Sequence, residues 1–273
     1  MRIRFWGTRG TRPTPGPSTL RYGGNTACVE VRARSGGVVI LDSGSGIAEL
    51  GDALIEEGRR DATILVTHTH WDHIQGFPYF APAFEPGSKI RIMGPRGSIK
   101  PLEEAFVDQM DPAYFPLRLD QMPARVEFVE VSAERPFELD GMRVVPHLLN
   151  HPIVTFGYRL EADGRSLVYA TDNELLALDQ ELELRAWVES TDLLIHDAQY
   201  GSAELIGHVG WGHSSLDGAL ALARATGVAR LAFFHHDPRH SDEDIDSLVA
   251  DALAPGGREL EAFAAAEVGE VRL

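Results

Sequence analysis

Six consecutive residues constrain this chain more than anything else in it: His68-Thr69-His70-Trp71-Asp72-His73, directly behind the apolar run Ala62-Thr63-Ile64-Leu65-Val66-Thr67. A short β-branched run of this kind reads as a buried strand. Side chains at a strand end are delivered to a loop edge, where clefts open. Imidazole and carboxylate are ligands of zinc, manganese and iron. Three histidines and one aspartate are more donors than one ion takes from a single loop. The pattern therefore points to two ions, about 3.5–4 Å apart. The bland alternative is a solvated polar turn with incidental histidines, and the spacing behind a buried strand argues against it.

Further ligand-type residues stand at comparable places. His151 lies in Leu148-Leu149-Asn150-His151-Pro152, just before a strand. Asp172 closes the run Leu167-Val168-Tyr169-Ala170-Thr171, and His235 closes Leu231-Ala232-Phe233-Phe234. Each taken singly reads as a surface or capping residue; their joint placement reverses that. Cys28 is the only cysteine, which excludes an internal disulfide and any thiolate cluster. The donor set does not choose among Zn, Mn and Fe. Lys plus Arg number 25 against 41 Asp plus Glu, a net charge of −16. Long nucleic acids need clustered cations, so they are not expected partners. No apolar run approaches the roughly 20 residues that span a bilayer. Met1 to Trp6 lacks the apolar core of a signal peptide. A cytoplasmic protein without membrane contact is expected.

Strands are predicted over 2–6, 27–33, 38–41, 62–67, 89–93, 126–131, 142–146, 154–161, 166–171, 193–195 and 230–234, and helices over 47–58, 98–110, 174–187, 215–226 and 241–253. The tail 259–272 reads as mixed strand or helix. Strands precede helices in the first half, and the second half repeats the plan. That suits one α/β domain over 1–273, with two sheets face to face and helices outside. The Pro-punctuated stretch 98–123 is a candidate flap. Gly7 to Gly24 lacks a dinucleotide-loop context and is either a structural turn or a loop lining the cleft. Within it Arg9, Arg12 and Arg21 either meet a phosphate or are solvated. Phe77, Tyr79, Phe80 and Phe84 read as core and wall, or as a base-stacking platform. His147, His208 and His240 carry no assignment.

Together these segments resemble the metallo-β-lactamase fold superfamily, in its phosphodiesterase branch with ribonuclease Z and the cyclic-phosphate phosphodiesterases. Thr-His-Thr-His-Trp-Asp-His carries most of the likeness. Tyr169-Ala170-Thr171-Asp172 looks like the segment with the bridging aspartate. Ile195-His196-Asp197-Ala198 looks like the His-Glu-Ala segment of ribonuclease Z, with Asp for Glu. Gly212-His213-Ser214-Ser215 looks like its His-Ser-Thr segment. The resemblance implies an αββα sandwich of two mixed sheets. It assigns His68, His70 and His151 to one divalent ion, Asp72, His73 and His235 to the other, and Asp172 to both, with His236 as the rival of His235. Zinc is the implied metal, with manganese or iron as alternatives. Only 23 residues separate Asp172 from His196, so the tRNA-gripping arm of ribonuclease Z is missing.

The same resemblance implies a two-metal phosphodiesterase acting on a small phosphodiester, cyclic or linear; relatives are often homodimers, and the sequence leaves the oligomeric state open. Asp72 orients the nucleophile. His213 protonates the leaving group, and Asp197 holds its imidazole. Two alternatives keep the fold: a tRNA 3′-processing endoribonuclease, and an ester, thioester or lactone hydrolase. A di-iron redox protein leaves no room for a flavin domain. A binding protein without catalysis fits poorly with so complete a ligand set.

Overall fold

A computed structural model describes residues 1–133, 135–254 and 260–273. The expectation for residue 259 lies outside the described residues. The strands are β1 (Arg2–Gly7), β2 (Cys28–Arg32), β3 (Val38–Leu41), β4 (Ala62–Leu65), β5 (Lys89–Pro95), β6 (Arg125–Val131), β7 (Phe137–Leu139), β8 (Met142–Leu149), β9 (Thr155–Ala162), β10 (Arg165–Ala170), β11 (Leu193–Asp197), β12 (Arg230–Phe234), β13 (Glu261–Ala264) and β14 (Glu270–Arg272). The helices are α1 (Ile47–Glu56), α2 (Trp71–Ile74), α3 (Leu102–Gln109), α4 (Leu182–Val188), α5 (Ser202–Leu205), α6 (Leu216–Ala225) and α7 (Asp242–Leu253).

Two sheets of seven strands form, in the orders β14-β1-β2-β3-β4-β5-β6 and β13-β12-β11-β10-β9-β8-β7. Each begins as an antiparallel meander and turns parallel, from β3 to β6 in one and from β10 to β13 in the other. The sheets are therefore mixed, and the second half does repeat the first. β4 is buried along its whole length, as a central parallel strand must be, with both faces covered. Residues such as Ile3, Val29, Leu65, Tyr158, Tyr169 and Phe234 fill the layer between the sheets. α1 and α3 cover the outside of the first sheet through Leu50, Leu54 and Phe106. α4 and α6 cover the second through Leu184, Val188, Leu220 and Ala223. This is the αββα sandwich. No helix among the described residues is long and apolar enough to cross a membrane.

Four expectations need correction. Helix 174–187 shrinks to α4. Residues 174–181 lie outside the helix and are held by Glu174 N–H on Asn150 O, Leu175 N–H on Ser214 Oγ and, within the segment, Leu176 N–H on Glu181 Oε1. The stretch 98–123 is no flap: Leu102, Phe106, Met110 and Met122 are buried in the apolar layer outside the first sheet. The histidine cluster is not all loop, because α2 begins within it. Finally, β7 and α5 were not foreseen; they span three and four residues, too short for a periodic pattern to register.

Candidate metal centre

The parallel strands of both sheets end on one edge, and the candidate residues collect there. Three of the residues that close strands take left-handed backbone: Asp42 after β3 (φ 61°), Asp172 after β10 (φ 56°) and His235 after β12 (φ 63°). That conformation costs a non-glycine residue about 1–2 kcal/mol. It persists where packing over-determines it, typically at functional sites. Here it turns each side chain off the strand into the space between the sheets. Short α2 does the same for the histidine cluster, with His73 N–H bonded to His70 O. Asp72 and His73 thereby join one group of candidate ligands and His70 the other.

Two trios result. His68, His70 and His151 offer ring nitrogens within 4.8 Å of one another, and so do Asp72, His73 and His235 with their nearest donor atoms. Asp172 lies between them. Its Oδ1 is 3.7 Å from His68 Nε2 and 4.0 Å from His151 Nε2. Its Oδ2 is 3.1 Å from His73 Nε2 and 3.3 Å from His235 Nε2. Ligand bonds of about 2.0–2.2 Å place neighbouring ligands roughly 3–3.6 Å apart; the 3.1 and 3.3 Å separations on the Oδ2 side fall in that range, and the 3.7 and 4.0 Å separations on the Oδ1 side are slightly wider. His236 turns elsewhere: its Nε2 meets Ala265 O at 2.9 Å. Only His235 joins the cluster.

The hydrogen bonds behind the trios fix which ring nitrogen faces inward. His73 Nδ1 donates to Asp42 Oδ2 at 2.8 Å. Thr67 Oγ1 spends its one proton on Asp42 and so accepts from His68 Nδ1 at 3.1 Å. His235 Nδ1 donates to Gln199 Oε1 at 2.9 Å, and His151 Nδ1 to Gly212 O at 3.0 Å. Each of these rings is left with Nε2 pointing inward. His68 Nε2 and His73 Nε2 are buried without a hydrogen-bond partner. Orphaned buried nitrogens of this kind call for an explanation, and a cation between the trios supplies one. The donor set thus fits two divalent ions.

Charge is balanced tightly here. Burial and neighbouring imidazoles push His68 well below its usual value, leaving it neutral. Burial opposes charge on His73, yet Asp172, Asp72 and Asp42 raise it well above the ordinary range. Burial would likewise raise Asp172, but His235, His73 and His68 hold its carboxyl well below the usual carboxylate range.

Beside the trios, His213 Nδ1 lies 2.8 Å from Asp197 Oδ2. The His213 ring stacks on His235 at 5.0 Å and meets His151 edge-on at 5.5 Å. Burial disfavours its charged form, but Asp197 holds it up at about 9. Asp197 also accepts from the N–H groups of Ser214, Asp172 and Gln199, so one carboxylate ties His213 to the strand ends.

Two residues were not read from the sequence. Asp42 seemed only a turn signal after β3. It is fully buried and accepts from Thr67 N (2.7 Å), His73 and Tyr169 Oη (2.9 Å). An acid closing a buried strand was the available signal. Asp42→Ala leaves four buried donors unmatched, Thr67 N and Oγ1, His73 Nδ1 and Tyr169 Oη, and should lower unfolding free energy by about 3 kcal/mol or more. Urea unfolding measures this, and a loss under about 1 kcal/mol would contradict the anchoring role. The second is Thr11, whose N–H donates to Asp72 Oδ2 at 2.7 Å. Its loop does line the centre: a Cβ on Gly10 would sit 2.4 Å from the His235 ring. Arg9 is buried there, with Nε on Gly23 O and a guanidinium nitrogen on His240 O, a structural tie rather than a phosphate contact. His147, His208 and His240 stay outside the trios: His147 stacks on Trp187, His208 stacks on Tyr200, and His240 meets Glu204 at 2.9 Å.

Residues 39–236 match the family model described as the beta-lactamase superfamily domain, and the chain belongs to that family. It is similar to ribonuclease Z of Thermoplasma volcanium, 22% identical over 311 aligned positions that cover 93% of this chain and 92% of that one. Among solved structures, Zn2+-bound PqqB from Methylobacterium extorquens shares the fold with a TM-score of 0.76, at 16% identity over 100% of both chains. A diphosphatase from the PhnP family does so at 0.71, with 18% identity over 100% of this chain and 97% of the other. The protein is a metal-dependent hydrolase of the metallo-β-lactamase fold.

Proposed function

We propose that this hydrolase cleaves a small phosphodiester, cyclic or linear, at a centre of two divalent ions, with zinc as the metal and manganese or iron as the other candidates. His68, His70 and His151 would hold one ion, Asp72, His73 and His235 the other, and Asp172 both. Ions held there supply Lewis acidity: they bring the pKa of water to near neutrality and offset charge on a phosphoryl group. Asp72 is oriented for a role beside the nucleophile by the Thr11 N–H.

The observation that carries the reading is the His213–Asp197 pair at the edge of the trios. Phosphodiester cleavage expels an alkoxide as the nucleophile adds, so a proton held at the leaving oxygen speeds that step. Nearby cations disfavour an imidazolium, and Asp197 counters them. A long RNA fits less well. The 311 positions aligned with ribonuclease Z exceed the 273 residues here, so that relative carries insertions this chain lacks. The net charge of −16 also opposes a polyanion.

A substrate panel tests this with the zinc- or manganese-loaded protein: bis-p-nitrophenyl phosphate, 2′,3′-cyclic AMP, a precursor tRNA and a lactone. The phosphodiesters should turn over at least about 100-fold faster than the lactone, a gap of about 2.7 kcal/mol in barrier. Preference for the lactone, or for the tRNA, overturns the proposal.

A further inference from the structure

The chain has four tryptophans. Trp6 and Trp187 are buried, whereas Trp71 and Trp211 are 59% and 60% exposed. Both exposed indoles sit on the open side of the metal centre. Trp71 follows His70, the solvent-open member of the trios, whose Nδ1 is 3.1 Å from His151 Nε2. Trp211 precedes Gly212, whose carbonyl accepts from the other nitrogen of His151. The two indoles are thus carried by the two segments that meet at the His70–His151 edge.

The loop presenting Trp211 is built rather than loose. Glu174 accepts from Gly210 N at 2.8 and 2.9 Å and from Gly212 N at 2.8 Å. Gly210 and Gly212 take φ of 84° and 86°, and a Cβ on Gly212 would lie 2.1 Å from His151 Nδ1. On the other side, the His208 ring meets Trp211 edge-on at 4.9 Å and stacks on Tyr200 at 4.4 Å. Tyr200 in turn meets His213 edge-on at 6.1 Å. An indole left in water forfeits a large apolar burial, and here it does so on a loop pinned by a carboxylate two residues past Asp172. In the aromatic run Phe77 to Phe84, Phe77 and Phe80 are fully buried, while the exposed Tyr79 and Phe84 line a separate hollow with Asp52, Ile55 and Phe115.

We propose that Trp211 stacks a planar aromatic base of the substrate, so that the phosphodiester is a nucleotide. This rests on the phosphodiesterase reading and names its substrate class. Trp211, His208, Tyr200 and His213 form one continuous run of ring contacts, so a group departing with the His213 proton leaves along the aromatic wall that carries the indole. Base–aromatic stacking tolerates any base, because each has a π-face.

Calorimetric titration of the metal-loaded protein with AMP and with ribose 5-phosphate separates the base from the phosphate. Wild type should bind AMP about tenfold or more tighter, as one stacked base provides. In Trp211→Ala the gap should close to within about twofold, and Trp211→Phe should keep most of it. Metal content, measured alongside, shows that the variants still assemble the centre. Equal binding of the two probes by wild type, or a full gap in Trp211→Ala, overturns the stacking site. Turnover of bis-p-nitrophenyl phosphate judges the underlying reaction separately: its absence beside an intact AMP preference overturns the hydrolysis and not the base site.

Discussion

Asp172→Ala will strip metal from both halves of the centre and reduce turnover by at least about 10³-fold, because water there loses the acidity that divalent ions confer. Asp172 is the one side chain with an oxygen toward each trio, Oδ1 toward His68 and His151 and Oδ2 toward His73 and His235. Truncation leaves Asp72 as the only carboxylate for two dications. It also empties a site that is 2% exposed, so no water-borne anion easily replaces the charge. Metal affinity here is linked to ligand charge and preformed geometry. Metal analysis after dialysis should find about two ions per wild-type chain and fewer than about one in the variant. Asp172→Asn keeps the side chain's shape and removes its charge, so it should lose metal in the same direction. A variant that still retains two ions per chain rules out bridging.

The fold was legible wherever apolar runs end in turn signals. Ala62 to Thr67, Val38 to Leu41 and Leu231 to Phe234 read as buried strands because both faces of a central parallel strand are covered. The grouping of the candidate ligands was legible for a related reason. Strand ends are local features, and His151, Asp172 and His235 each sit beside one. The failures were long-range. Residues 174–181 have helical composition, but their start is tied to Asn150 and Ser214, 24 and 39 residues away, and nothing nearby in sequence announces that. Asp42 was missed because its partners, Thr67, His73 and Tyr169, are 25, 31 and 127 residues away. Thr11 acts through its backbone, whose direction no side-chain pattern encodes. His235 was preferred to His236 because it directly follows the strand, and the left-handed turn at His235 is the physical reason its ring, and not that of His236, faces Asp172.

His213→Ala should lower turnover of substrates with alkoxide leaving groups by about 10²–10⁴-fold, the range for a positioned general acid. Bis-p-nitrophenyl phosphate, whose p-nitrophenolate leaves readily without a proton, should lose far less, within about tenfold. That split separates proton donation from a structural role, which would depress both substrates alike. It also separates donation from ligation. His213 lies close enough to Asp172 and His235 to complete a third set of donors, and a ligand would take metal with it when removed. An acid would not, because the two trios and Asp172 remain whole. Asp197 is the poorer probe: it holds His213 but also accepts from Ser214, Asp172 and Gln199 N–H groups, so its replacement disturbs the strand ends themselves. Kinetics on both leaving groups, beside metal analysis of the same His213→Ala preparation, therefore decides the role. Equal losses on the two substrates, full activity on both, or departure of either ion removes His213 as the proton donor.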